Sequence, residues 1–250
     1  MRVLDLAASF DLQRLTRRPL PLRDDVVDAM DAAARAQTAA IWTGRVRSEL
    51  DAGSGFAILL GELHATGAEL AVLRLASRAA HDEVRHAELC RVLASTYAGE
   101  LVAAPRGQPI VMPTHGGAEG ALRTALHAFG LCCVNETIAV AFVDACLAES
   151  HAPLVSAIHR EHLSDEIDHA RVGWAHLASA AVPEDVRRAV AARAPRVIEA
   201  NRKRWRSRIA RLPEPGIPGH GYPPRRALLD VVDAAIRDVV QPGLTHIGLR

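Results

Sequence analysis

The chain has 250 residues, 30 basic against 29 acidic side chains and a formal net charge of +1, with 49% hydrophobic and 4% aromatic residues. That length can bury a full core, and the even charge balance provides no general attraction to nucleic acid or to an anionic membrane, so neither is expected as a partner. Scarce aromatics and abundant Ala, Leu, Val and Arg favour helix over sheet.

Four cysteines, Cys90, Cys132, Cys133 and Cys146, show no Cys-x-x-Cys spacing. They argue against a disulfide framework or a rubredoxin-type iron centre and for buried thiols in a reducing cytoplasm. The opening Met1-Arg2-Val3-Leu4-Asp5 breaks any apolar run with charge, which argues against a secretory signal. No uncharged apolar stretch approaches the ~18 residues of a membrane span.

In chain order, residues 1–23 contain Pro19 and Pro21 and read as an irregular lead-in with one short helix. Asp24 and Asp25 open a long helical pattern to about Ala65, with acids where the helix dipole favours them. Gly53 and Gly55 interrupt it, either for close helix packing or to leave space beside a site. A second helix runs from about Ala68 to Tyr97. Residues 99–118 hold Pro105, Gly107, Pro109, Pro113, Gly116 and Gly117 and cannot be helical. A third helix spans about Ala118–Ser150 and a fourth about Pro153–Ala180, with proline well placed in its first turn. Pro183 starts a fifth, to about Leu212, with Pro195 as a kink point; residues 213–224 form a rigid loop. A sixth helix, about Arg225–Val240, precedes a Pro-Gly-containing tail. The reading is one all-α domain: a four-helix bundle over 25–180, two hairpins joined by one long crossover, and a helical extension over 183–250.

Within this frame one pattern occurs twice: Asp82-Glu83-Val84-Arg85-His86 and Asp165-Glu166-Ile167-Asp168-His169. Three residues on a helix turn through about 300°, so Glu and His share a face and can share a metal. Bundles that hold two metals this way add one Glu from each remaining helix. If each motif lies on the second arm of a hairpin, its partner Glu lies equally far from the turn on the first arm. Glu49 and Glu83 are centred on residue 66, within Ala65-Thr66-Gly67; Glu136 and Glu166 are centred on 151, within Ser150-His151-Ala152-Pro153. Glu62 and Glu149 fail the same test. The expected ligands, and the catalytic set, are therefore Glu49, Glu83, His86, Glu136, Glu166 and His169.

His162 precedes Glu166 by four residues, on the ligand face; the equivalent position before Glu83 is Ala79. Either one metal gains a third histidine, making the pair asymmetric, or His162 is a hydrogen-bonded neighbour. Asp82 and Asp165 are expected to serve the histidine of the opposite helix, Asp82 to His169 and Asp165 to His86; the bland alternative is surface solvation. His159 reads as pocket lining, Cys132, Cys133 and Val140 as pocket walls. His64, His81, His115, His151 and His220 fall in turns, loops or on the wrong face. Arg187 to Arg211 holds ten basic residues against Glu199 alone, read as a solvated helix face rather than a nucleic-acid surface.

These residues resemble the ferritin-like superfamily of dimetal-carboxylate proteins, over roughly 25–180. The runs Arg78-Ala-Ala-His-Asp-Glu-Val-Arg-His-Ala-Glu-Leu89 and Cys133-Val-Asn-Glu-Thr137 look like bacterial ferritin-like domain proteins. His162 beside Glu166 is similar to the pattern of the p-aminobenzoate N-oxygenase group, where an extra fourth-helix histidine binds iron. That implies two iron ions (or manganese, or a mixed pair) and oxidation of an arylamine. Radical-generating ribonucleotide reductase subunits differ in carrying tyrosine where Cys90 stands, and rubrerythrins in possessing a second iron domain.

The expected function is a non-haem diiron oxygenase or oxidase that activates dioxygen to oxidise a small organic substrate, with amine N-oxygenation as subtype. Lacking any flavin or nicotinamide fingerprint, the chain would need an external electron donor or reductase. A homodimer stays open. The alternative is a ferroxidase or iron- or manganese-handling protein without organic substrate; a third reading, a purely structural bundle, conflicts with six intact ligands.

Overall fold

A computed structural model describes residues 5–107 and 109–249; the charged opening Met1–Leu4 lies outside them. Among the described residues there are helices and no strands, so the chain is an all-α bundle. The lead-in holds two short helices, α1 (Leu6–Ser9) and α2 (Leu12–Leu15), where one was expected.

The long first pattern divides. Asp24 caps the single turn α3 (Asp25–Asp28) by accepting from Val26 and Val27 N–H. Asp31 then caps α4 (Ala32–Ala65) by accepting from Ala33 and Ala34 N–H. Two capping aspartates seven residues apart start two helices, because each satisfies amides that a continuous helix would have used itself. Asp24 also takes the Leu154 N–H at 2.9 Å, tying the entry of the first hairpin to the start of the second hairpin's return helix.

A tight connection leads to α5 (Leu70–Ala98), closed by Gly99 in the left-handed region at φ 73°. The crossover ends at α6 (Gly120–Ala128), which continues through a π-helical segment, Phe129–Glu136, into α7 (Thr137–Ala148). The π segment was not expected. By length and composition the rod Gly120–Ala148 could cross a membrane, although Arg123, Glu136 and Asp144 leave no uncharged stretch of ~18 residues within it. Its apolarity has a use within the fold: α8 (Pro153–Ala178), α9 (Glu184–Ile209) and α10 (Arg225–Ala235) all pack on it, while Glu136 points inward.

Helix α9 runs through Pro195 without a break. The tail is also helical: a second π segment, Ile236–Val240, continues without a break into α11 (Gln241–His246), which carries Pro242.

Helix α5 packs against both α4 and α8, so the two Asp-Glu-x-x-His motifs face each other. Two apolar clusters bracket them. One, around Phe56, Leu59, Leu63, Val72, Ala76 and Ala79, fills the turn end of the first hairpin. The other, larger, runs from Trp42 and Val46 through Leu89 and Leu93 to the third helix and α9–α11. The polar residues described next lie between them.

Candidate metal centre

Helix α4 supplies Glu49, α5 supplies Glu83 and His86, the end of the π segment supplies Glu136, and α8 supplies Glu166 and His169. All six are buried. Their donor atoms form two sets, Glu49–Glu83–His86–Glu166 and Glu83–Glu136–Glu166–His169, each with all atoms within 4.8 Å of one another. The sets overlap at Glu83 and Glu166, one carboxylate from each repeated motif.

The orientation follows from the helices. His86 Nδ1 lies 3.8 Å from Glu83 and 3.6 Å from Glu166; His169 Nδ1 lies 3.2 Å from Glu83 and 3.3 Å from Glu166. The other ring nitrogens face outward to aspartates. His86 Nε2 is 3.2 Å from Asp165, and His169 Nε2 is 3.7 Å from Asp82, an ion-pair distance rather than a closed hydrogen bond. This is the crosswise arrangement that the sequence suggested, each aspartate beside the histidine of the opposite helix.

Arginines hold the aspartates in turn. Arg17 and Arg85 both bond Asp165, Arg78 reaches it at 3.3 Å, and Arg78 and Arg85 pair with Asp82 at 3.3 and 3.6 Å. Arg45, one turn before Glu49, donates to its Oε1 at 3.1 Å. At the far side Asn135 donates to Glu136 at 3.0 Å and accepts from the Trp205 indole at 3.1 Å. None of these supports was singled out in the sequence. Arg85 and Arg45 do carry a local signal, three residues after Asp82 and four before Glu49; Arg17 has none, lying 148 residues from its partner.

The fit to metal ions can be tested on the site's own atoms. Glu83 Oε2, Glu166 Oε2, His86 Nδ1 and His169 Nδ1 are buried without a hydrogen-bond partner. Folded proteins rarely leave such groups unpaired, since each forfeits its hydration for nothing. Here they gather at one place and are all metal-donor atoms, which is the set two cations would satisfy.

The electrostatics say the same. Burial pushes the Glu83 carboxyl up, but the neighbouring imidazoles of His169 and His86 outweigh it and hold it at about 2. Burial pulls His86 down, but Asp165 and Glu83 together lift it to about 9. His169 is raised well above its ordinary value by Asp82, Glu166 and Glu83, against the same opposing burial. Burial, then the charges of Glu166 and Glu83, push Glu136 well up. Burial also raises Glu49, against the lowering effect of Arg45. Without metal, protons neutralise the cluster; a cation takes over that role by displacing them.

His162 is fully buried with both ring nitrogens unpaired, its ring 4.4 Å from that of His86. Its donor atom groups with Glu49 and Cys90 rather than with either overlapping set. His159 bonds Ser150 at 3.1 Å and sits 5.5 Å from Trp42. Cys132 and Cys133 pack instead against Gly173, where an added Cβ would come within 2.8 and 2.7 Å of them. Gly53 gives close packing: a Cβ there would meet that of Glu83 at 3.2 Å. His220 is buried, with Nδ1 2.8 Å from the Tyr97 hydroxyl, and is no loose loop residue.

Comparison with family models, with curated proteins and with solved structures finds no match to this chain, so its function has to be argued from these side chains.

Proposed function

We propose that the two overlapping donor sets hold a pair of iron or manganese ions, in the ferritin-like manner, and that the protein is a dimetal-carboxylate oxygenase or oxidase acting on a small organic substrate. The observation that carries this reading is the sharing of Glu83 and Glu166 between the sets, with unpaired buried donor atoms facing inward. Carboxylate with imidazole suits iron and manganese, whereas structural zinc sites recruit more thiolate. Bound there, such a pair supplies the two electrons that reduce dioxygen.

The chain's own residues do the rest. Asp165 and Asp82 fix the imidazoles with Nδ1 inward, and Arg17, Arg78 and Arg85 fix the aspartates. Asn135, braced by Trp205, orients Glu136. The two apolar clusters exclude water from the centre. Protons held on His86 and His169 leave when the donors are taken up by metal.

An organic substrate is favoured over bare iron handling by a cavity that reaches Asn135, the neighbour of Glu136. It measures about 360 Å³, opens between the crossover and α9, and is lined among others by Leu126, Leu131, Asn135, Asn201, Arg196 and Arg204. Its wall residue Asn135 is the side chain bonded to Glu136, so a molecule in the cavity is one side chain from the donor set. Amine N-oxygenation is kept as the proposed subtype, although His162, whose spacing suggested it, groups with Glu49 and Cys90 and not with the pair. Electrons would come from a separate reductase.

The test is anaerobic loading with ferrous iron followed by an oxygen pulse, with and without an arylamine. The expected outcome is at least two ions per chain and oxygen uptake accelerated by the amine, which appears as hydroxylamine or nitro product. Rapid mineral formation indifferent to any amine would replace the proposal with ferroxidase chemistry.

A further inference from the structure

Beside the overlapping sets, and touching them only at Glu49, is a third group of donors that the oxidation chemistry does not use. Cys90 follows His86 by four residues on α5, and His162 precedes Glu166 by four on α8. Because these helices run antiparallel through the centre, both steps lead one turn in the same direction. There they meet Glu49 from α4. The donor atoms of Glu49, Cys90 and His162 all lie within 4.8 Å of one another.

We infer that Glu49, Cys90 and His162 form a separate, thiolate-containing ion position that takes a borderline-soft divalent cation such as zinc, cobalt or ferrous iron.

Two independent observations point to a ligand. The first is His162, fully buried with neither ring nitrogen paired. A core histidine kept for packing would place at least one nitrogen on a carbonyl or hydroxyl, as His159 does on Ser150. The second is spacing. A metal–sulfur bond of about 2.3 Å and a metal–oxygen bond of about 2.0 Å put sulfur and oxygen of a tetrahedral shell about 3.5 Å apart. Cys90 Sγ lies 3.8 Å from Glu49 Oε1, its thiol donating to that oxygen, so a cation that replaces the proton would draw the two only slightly closer. One sulfur, one imidazole and one carboxylate make a borderline-soft set, unlike the harder sets next door. Three protein ligands leave the fourth place of a tetrahedron open.

Arg45 opposes filling. Its guanidinium donates to the same Glu49 oxygen, Nη2 at 3.1 Å and Nε at 3.3 Å. Glu49 also belongs to the pair, so the pair's ion meets the same competitor. This position fills after the pair because it alone must also displace the Cys90 thiol proton to solvent as the sulfur–metal bond forms. The inference needs only the bundle geometry and stands apart from any reactivity towards oxygen.

The experiment is anaerobic titration of the metal-free full chain with cobalt(II), counting ions bound while recording the near-ultraviolet sulfur-to-cobalt absorption. The expected result is an equivalent beyond the pair that brings in that band. Cys90→Ser should abolish the band and weaken the last equivalent at least about tenfold, while leaving the pair filled. His162→Gln provides a second route to the same loss should the serine variant fold poorly by circular dichroism. Arg45→Gln should tighten that equivalent. The double variant Glu83→Gln/Glu166→Gln, stripped of the shared carboxylates, should still bind one cobalt with the band, so this position and the pair can fail independently. Absence of the band at every stoichiometry overturns the proposal. So does a band that vanishes in the double variant, which would place the sulfur within the pair.

Discussion

The two overlapping donor sets are built from the same repeated motif and share two carboxylates, yet they sit in different company. The set completed by Glu49 and His86 is wrapped in polar groups: Arg45 on Glu49, the Cys90 thiol, and the His162 ring tilted against that of His86. The set completed by Glu136 and His169 meets Phe56, 5.3 Å from the His169 ring, and the tightly packed Cys132–Gly173 contact. Their outward supports differ as well, three arginines converging on Asp165 against two on Asp82. Duplicating a motif therefore fixes donor identity and leaves reactivity to the neighbours. The polar side has donors to spare for ligand changes, while the apolar side holds one geometry and keeps water out.

The hardest way to break the comparison is to remove what the sets have in common. Glu83→Gln or Glu166→Gln should lose the paired ions altogether, whereas Glu49→Gln or Glu136→Gln should leave one of the two, measured as metal per chain after gel filtration. Equal losses from all four variants would show that the sets do not share ligands.

Next in size is the difference between the aspartates. Asp165→Asn should weaken metal binding about 10–100-fold by releasing the His86 ring, and should lower stability by only about 1 kcal/mol, since Arg17, Arg78 and Arg85 keep Glu161, Asp168 and Asp82 as partners. Asp82→Asn, at its longer contact with His169, should do less of both. Calorimetric titration with manganese(II) and urea unfolding would measure the two effects.

The protons offer a gentler probe. A base raised in the folded state stabilises it fully below the unfolded value, ~6.5 for histidine, and ceases to do so as pH passes the folded value. His86 is held at about 9, with His169, Glu49 and Glu136 also raised. Glu83, held at about 2, works in the opposite sense, but its contribution fades only in acid. The Tm of the metal-free protein should therefore fall between pH 6.5 and 9, and that of the metal-loaded protein should stay level because cations stand where protons stood. A metal-free Tm that is flat or rising over this range would contradict the picture.

The smallest effect compares two glycines. At Gly173 an added Cβ would come within 2.6 Å of the Ala128 carbonyl, and backbone cannot move aside; Gly173→Ala should cost about 2 kcal/mol. At Gly53 the clash is with the Glu83 Cβ at 3.2 Å, and the gain in helix propensity, about 1 kcal/mol, offsets it. Gly53→Ala should leave stability within about 1 kcal/mol of the parent in chemical denaturation.

What was legible in the sequence was local or symmetric. Helix periods, the two motifs and the mirrored positions of Glu49 and Glu136 follow from spacing alone, and the structure brings those six residues together. Asp24 was read as opening one helix to Ala65; Asp31, which caps the second start, carried no separate signal in that reading, and the chain breaks at residues 29–31. The π segment Phe129–Glu136 has no composition that marks it; its wider turns coincide with the place where α8 presses Gly173 against the helix. Helix α11 was missed because Pro242 and Gly243 read as breakers, while the helix runs on through them by way of the π segment Ile236–Val240. Arg17 was invisible for a simpler reason, since nothing near it in the chain says where it will go.

That last residue has a consequence for how the molecule is made. Arg17 grips Glu161 through both its backbone amide and its side chain and also bonds Asp165, while the Leu15 carbonyl accepts from Arg85. The segment emerges from the ribosome long before its seat exists, so it must wait, unattached, until the return helix of the second hairpin has been synthesised and docked. Contacts this far apart in sequence close late in folding, and a piece made well before its seat is the latch that shuts last.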